Sequence, residues 1–335
     1  MITIKDIARE AKCSLSTVSK AINGKFDVSE STRQRILDIV ETHHYVPNAF
    51  GRGLKKKATE NIGVIFCRES QPLSGNPFYS RVLEGIEGEL ALKNYNLVLQ
   101  LVPEDFKDEC PKMLRERNVD GVMLIGLQKL KFLEYIQNQQ IPAVLIDPQI
   151  RIEGFSQVVI DNEHGALLAI QYLINRGHRR IGFISGNLER LSFQQRYLGY
   201  QQALEYNNIP FQPNYVRTGG LELGYQHVWD LLQLKEHPTA IFSVNDINAI
   251  HGYNAVKDFG YQIPRDISLV GFDDIELSKI ISPALTTVRV YKEELGSIAV
   301  RMLLKIIRKE IIEPVTTMVP IKLIERESVA DICCQ

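Results

Sequence analysis

Residues 3 to 23 read TIKDIAREAKCSLSTVSKAIN, two helical periodicities parted by three polar residues. Ile4, Ile7, Ala8 and Ala11 recur at i, i+3, i+4 and i+7 and so share one helical face. Thr3 stands at the N-cap position, and Asp6 three residues on completes a capping box. Lys12-Cys13-Ser14 breaks the period, and Ser14 caps a second helix. There Leu15, Val18, Ala21 and Ile22 lean to one side and leave Ser16, Lys20 and Asn23 pointing away. Two helices this short cannot bury their apolar stripes alone. A third, predicted over 30–43 behind Ser29 as cap, brings Ile36, Ile39 and Val40 to close a small core. The pattern predicts a helix-turn-helix with a supporting helix.

These residues also carry a resemblance. The stretch is similar to the DNA-binding headpiece of the lactose-repressor (LacI/GalR-type) family, with its pattern T-I-x-D-[IV]-A-x-x-A, then S-x-x-T-V-S-x-x-[IL]-N. The matching positions here are Thr3, Ile4, Asp6, Ile7, Ala8 and Ala11, then Ser14, Thr17, Val18, Ser19, Ile22 and Asn23. Tyr45-Val46-Pro47-Asn48 extends the match. The resemblance implies an all-α helix-turn-helix headpiece (1–46), a hinge helix and linker (47–60), and an α/β ligand-binding and dimerisation core (61–330). That core resembles type I periplasmic sugar-binding proteins, with two doubly wound lobes. The implied lobes are 61–160 with 291–320, and 161–290 with 321–330.

Bulk properties agree with such a chain. The 335 residues have room for more than one core, and 44% apolar with 24% charged residues is ordinary for a globular protein. No apolar run is long enough to span a bilayer, and the first residues do not form a signal peptide, so a cytoplasmic protein without a membrane partner is expected. The five cysteines show no metal-ligand spacing, and neither a metal nor a cofactor is expected. Residues 1–60 hold 11 Lys/Arg against 7 Asp/Glu, and the rest holds 28 against 33. A basic head on an acidic body directs one end toward a polyanion.

After the linker the pattern alternates strand and helix. Strands are predicted at 61–67, 97–101, 121–125, 143–146 and 158–160, then at 180–185, 215–218, 240–244 and 267–271. Helices are predicted at 78–93, 164–176, 194–206, 224–234, 247–259 and 295–308. Two sets of about five strands in βα units mean two parallel sheets, with a ligand at the strand carboxyl ends.

Through the resemblance, Leu15, Ser16 and Lys20 fall where the recognition helix meets base edges. Lys20 is suited to guanine, and Leu15 serves either a thymine methyl or the core. Thr3, Thr17 and Arg33 position the phosphate backbone. Asn48 caps the hinge helix and Leu54 is the minor-groove wedge, among the basic Arg52, Lys55, Lys56 and Lys57. Gly51 and Gly53 stand where alanine, serine or glycine is common, which makes that helix harder to form off DNA.

For the ligand, Phe78 and Tyr79 open a helix and suit stacking on a ring. Arg190, Ser192 and Arg196 lie in a segment resembling the family's effector region. Asn245, Asp246 and Asp273 end strands in the second lobe, and Asp147 and Asp161 end strands nearer the first. Carboxylates, an amide and arginines at strand ends suit adjacent hydroxyls, although each alone is more often a cap or a surface charge. Leu221 stands where the family often carries an aromatic.

No phosphate loop, dinucleotide fingerprint or nucleophile elbow competes, so no catalytic residue is expected. The sequence predicts a dimeric repressor on a pseudo-palindromic DNA operator, controlled by a small effector, with carbohydrate the family's commonest choice. Two alternatives remain: control by a protein corepressor, and a solute-binding protein with no DNA role.

Overall fold

The computed structural model of the protein describes residues 2–22, 24–25, 27–43, 45, 58–68, 76–103, 110–126, 130–220 and 223–333. The chain divides after Thr59 into two compact units. The first holds α1 (Ile4–Glu10), α2 (Leu15–Ile22) and α3 (Glu30–Thr42). Thr3 caps α1: its hydroxyl accepts from the Asp6 N–H while its own N–H donates to the Asp6 carboxylate at 3.0 Å. The Ser14 hydroxyl likewise accepts from the Thr17 N–H at 3.0 Å. Ile7, Ala11, Val18 and Ile36 are wholly buried where the three helices meet.

Ser29 departs from expectation. It occupies the N-cap position of α3, but its side chain caps no backbone N–H. Its hydroxyl donates to Thr32 Oγ1 at 2.8 Å instead.

The second unit holds two six-stranded sheets rather than two of about five strands. The first contains β1 (Asn61–Arg68), β2 (Asn96–Pro103), β3 (Gly121–Ile125), β4 (Ala143–Ile146), β5 (Ser156–Ile160) and β11 (Thr316–Val319), in the order β11-β5-β4-β3-β1-β2. Its strands are all parallel. The second contains β6 (Ile181–Ser185), β7 (Val216–Thr218), β8 (Ala240–Ser243), β9 (Ser268–Asp273), β10 (Thr286–Val290) and β12 (Ile321–Ile324), in the order β12-β10-β9-β8-β6-β7. Only β12 runs antiparallel, against β10. Strands β10, β11 and β12 were not foreseen.

Helices connect the strands: α4 (Pro77–Leu92), the short α5 (Lys112–Arg115), α6 (Leu130–Asn138), α7 (Asn162–Asn175), α8 (Leu191–Tyr206), α9 (Gly224–Leu232), α10 (Asp246–Asp258), the short α11 (Leu277–Ile280) and α12 (Lys292–Ile307). The chain passes between sheets after β5, after β10, and between β11 and β12, where Pro320 alone intervenes.

Helix α12 follows a second-sheet strand yet packs on α4 of the first lobe through two glycines. A Cβ on Gly85 would lie 2.0 Å from the Glu293 carbonyl oxygen, and one on Gly296 2.3 Å from that of Val82. Only bare Cα atoms allow that approach. Trp229 packs within the second lobe, stacking on Tyr225 and meeting the edge of Phe259.

Candidate functional site

The headpiece presents one face of α2 to solvent. Leu15 is 45% exposed, which removes it from the core and leaves it on the outer face with Ser16. Lys20, in the last turn of the same helix, pairs with Asp27. The other expected DNA contacts carry internal bonds. Thr3 is engaged in the capping box, donating to Asp6 Oδ2 at 2.6 Å, and the Thr17 hydroxyl shares a 2.8 Å bond with Ser14. The Arg33 guanidinium donates to the Lys25 carbonyl and so braces the turn between α2 and α3. Its Nε is buried without a partner. Asn23, Asn48, Arg52, Leu54, Lys55 and both hinge glycines lie outside the described residues.

In the second unit one crevice opens at the carboxyl ends of β1, β4, β6, β8 and β9. Doubly wound sheets place ligands there because loops from several strands converge. Its cavity is about 100 Å³. Eight of the ten residues expected to contact an effector line it: Phe78, Tyr79, Asp147, Arg190, Ser192, Arg196, Asn245 and Asp273. Asn76, Gln149, Phe193, Ile247 and Ile275 also line it and were not foreseen.

The two remaining residues are placed elsewhere. Asp161 accepts from the His164 N–H at 3.2 Å, a helix cap for α7. Asp246 is fully buried behind the crevice wall. Its carboxylate accepts from the Ile275 N–H at 2.9 Å, the Ser278 hydroxyl at 2.6 Å and the Thr287 hydroxyl at 2.5 Å. The causes differ: Asp161 caps the helix that follows it, whereas Asp246 is satisfied by donors from the segment after β9, from α11 and from β10.

Arg196 organises the crevice. It projects from α8, is 3% exposed, and lies with its guanidinium carbon 3.6 Å from the centroid of the Phe272 ring. Its Nε donates to Asn162 Oδ1 at 2.9 Å, and Nη1 donates to the Val244 carbonyl and reaches Asp273 Oδ1 at 3.5 Å. Asp273 sits at φ +109 and Asp147 at φ +44, left-handed backbone that aims each carboxylate off the end of its strand.

Burial pushes the Asp147 carboxyl up to about 6, against the attraction of Arg196. Burial also raises Asp273 despite Arg196 and Lys292. Tyr79 is raised too, chiefly by burial and then by these two carboxylates, so it stays a neutral phenol. Arg190 is lowered by burial, with its guanidinium carbon 5.4 Å from the centroid of the Phe193 ring.

Gln149 and Asn76 hold the rim. The Gln149 amide donates to the Asp147 carbonyl at 2.8 Å and carboxylate at 3.0 Å. Asn76 Oδ1 accepts from the Phe78 and Tyr79 N–H groups, which fixes the start of α4. The signal for Asn76 was legible, since Asn before Pro is a cap. Gln149 carried none.

Comparison with known proteins agrees with this architecture. Residues 3–48 match the model described as bacterial regulatory proteins, lacI family, and residues 170–329 match a periplasmic binding protein-like domain. The HTH-type transcriptional repressor PurR of Yersinia pestis (strain Pestoides F) is 36% identical over 340 residues, covering 99% of this chain and 98% of that protein. The lac repressor dimer bound to operator and the anti-inducer ONPF superimposes with a TM-score of 0.86 at 25% identity, covering 98% of this chain and 99% of that one. The transcriptional regulator CelR in its cellobiose complex gives 0.72 at 27% identity, covering 98% and 100%. These relatives are regulators and not enzymes. The chain belongs to the LacI family and is a DNA-binding transcriptional repressor.

Proposed function

We propose that operator affinity is controlled by a small polyhydroxylated ligand, a sugar or sugar derivative, held between the two lobes. One observation carries this reading: Asp147 from the first sheet and Asp273 from the second line the same cavity as Arg196. A ligand that bonds both carboxylates touches both lobes, so its affinity depends on the angle between them. That differential affinity is what an effector needs. At about 100 Å³ the cavity is smaller than the roughly 300–1,000 Å³ of most small-molecule sites, so entry of a ring requires the lobes to part.

The chemistry favours hydroxyls. Carboxylates accept from vicinal hydroxyls, Arg190, Arg196 and Asn245 donate to ring oxygens, and Phe78 or Phe193 offers an apolar face. The protein acts as a cytoplasmic homodimer on a pseudo-palindromic operator, each headpiece reading one half-site. The lac repressor neighbour is a dimer bound to operator, and the CelR neighbour carries cellobiose, which supports both parts of the reading.

Thermal-shift screening against mono- and disaccharides, sugar phosphates and nucleobases tests it. A sugar that raises the melting temperature of wild type but not of Asp147→Asn is expected. If no small molecule stabilises the protein, and operator affinity responds only to an added protein, the crevice does not set that affinity.

A further inference from the structure

Asp27 is a carboxylate hydrogen-bonded to Lys20 of α2 in a headpiece with an excess of basic residues. It lies beyond the C-terminal end of α2, where Gly24 at φ +67 turns the chain back. The Lys25 N–H bonds the Lys20 carbonyl at 3.0 Å and the Arg33 guanidinium takes the Lys25 carbonyl, so the turn is held from two sides. Lys20 Nζ donates to Asp27 Oδ2, and the side chains remain 42% and 56% exposed. Lys20 lies on the outer face of the second helix of a helix-turn-helix, the helix that enters the major groove. An acidic group carried toward DNA beside a lysine repels phosphates unless a donor there meets it.

The major groove offers such a donor in a definite place. In a G·C pair the guanine O6 and N7 acceptors stand beside the cytosine N4–H₂ donor. An ammonium and a carboxylate held side by side present the complementary pattern. We propose that Lys20 and Asp27 act as one unit that reads a G·C base pair in each half-site, Lys20 donating to guanine O6/N7 and Asp27 accepting from cytosine N4–H₂. Asp27 is then a specificity-determining residue. Its negative charge also weakens attachment to DNA that lacks the matching pair.

The hydrogen bond from Lys20 keeps the Asp27 carboxyl below its usual range, so the acceptor is ionised whenever DNA is bound. The Lys20–Asp27 bond need not break on cognate DNA, since each group has further lone pairs or protons to offer.

The test is selection of bound sequences from a random duplex pool by the full chain. Wild type, Lys20→Ala, Asp27→Asn and Asp27→Ala are compared. Micromolar protein ensures that a state weakened about 100-fold by a missing effector still enriches. The wild-type consensus is expected to contain a G·C pair that both Lys20→Ala and Asp27→Asn relax, with the other positions unchanged. Discrimination at that pair falls by roughly 5- to 150-fold. Asp27→Asn also binds a non-cognate duplex more tightly, with a log–log salt slope steeper by roughly one per headpiece. Asp27 is more than half exposed and outside the core, so these variants keep the fold, which a circular-dichroism melt checks.

Three results overturn the proposal: an unchanged consensus for Asp27→Asn, relaxation at a pair that Lys20→Ala does not relax, or an A·T pair at the shared position. The first would make the contact an ordinary surface ion pair.

Discussion

The Ser192 hydroxyl donates to the Gln149 side-chain carbonyl at 2.7 Å, a buried bond that runs from α8 of the second lobe to the loop after β4 of the first. The Leu191 N–H adds a parallel bond to the Gln149 main-chain carbonyl at 2.9 Å. Together they latch the two lobes across the crevice. Ser192→Ala leaves the Gln149 carbonyl buried without its donor and is expected to lower core stability by about 1–2 kcal/mol. Urea unfolding followed by tryptophan fluorescence measures it, and Ser192→Thr should recover most of the loss. Equal stability of Ala and wild type would mean that the latch contributes nothing.

Arg196 serves the fold as well as the crevice. Arg196→Ala strips the cation from two buried carboxylates and leaves Asn162 and the Val244 carbonyl without their donor. A loss of about 3–5 kcal/mol is expected, the range for breaking a buried pair. Arg196→Lys keeps the charge but not the planar fork over Phe272, and should fall between. Thermal melts of the three proteins give the order. A fully stable alanine variant would confine Arg196 to ligand binding, the role its sequence position suggested.

Stability should depend on pH through Asp147. Its folded-state value of about 6 lies above the ordinary 3.8, so the folded protein binds the proton more tightly than the unfolded chain. The resulting stabilisation is complete below about pH 4 and is lost as pH rises through 6. Asp246, raised to about 7 chiefly by burial, extends the loss toward neutrality. Asp147→Asn is expected to flatten this profile between pH 4 and 7 by on the order of 3 kcal/mol. Denaturant titrations at several pH values read it directly. A profile for the variant that parallels wild type would place the ionisation elsewhere.

Two glycines of α4 give opposite expectations. Gly88 has nothing within 4 Å of an added Cβ, so Gly88→Ala should stabilise by about 0.5–1 kcal/mol through helix propensity. Gly85 meets the Glu293 backbone, so Gly85→Ala should destabilise by about 1–3 kcal/mol by forcing α4 from α12. Calorimetric melts of both variants decide. A neutral Gly85→Ala would show that the two helices separate freely.

The headpiece was legible because period, caps and turn agree over a short stretch. Its one failure was local: Ser29 has the residue type of a cap without the bond. In the core the βα alternation disclosed the parallel strands, while β11 and β12 hid in one run, TTMVPIKLI. Four-residue strands on either side of Pro320 belong to different sheets, and a local pattern cannot say which partner each will find. The crevice was legible where side chains end strands. Asp161 and Asp246 share that signature: Asp161 caps its own helix through the His164 N–H, a local bond, while Asp246 meets Ile275, Ser278 and Thr287, distant in sequence, a tertiary fact. Gln149 follows Pro148 in a loop and offered no periodicity to read.

The most direct measurement is an operator titration by fluorescence anisotropy, using a duplex selected by wild type. Wild type and Asp273→Asn are compared with and without the sugar that most raises the wild-type melting temperature. The ligand should change wild-type operator affinity by roughly 5- to 150-fold. It should leave Asp273→Asn unmoved, while the two ligand-free affinities agree within a factor of about two. An equal ligand response in both proteins would contradict control through the crevice.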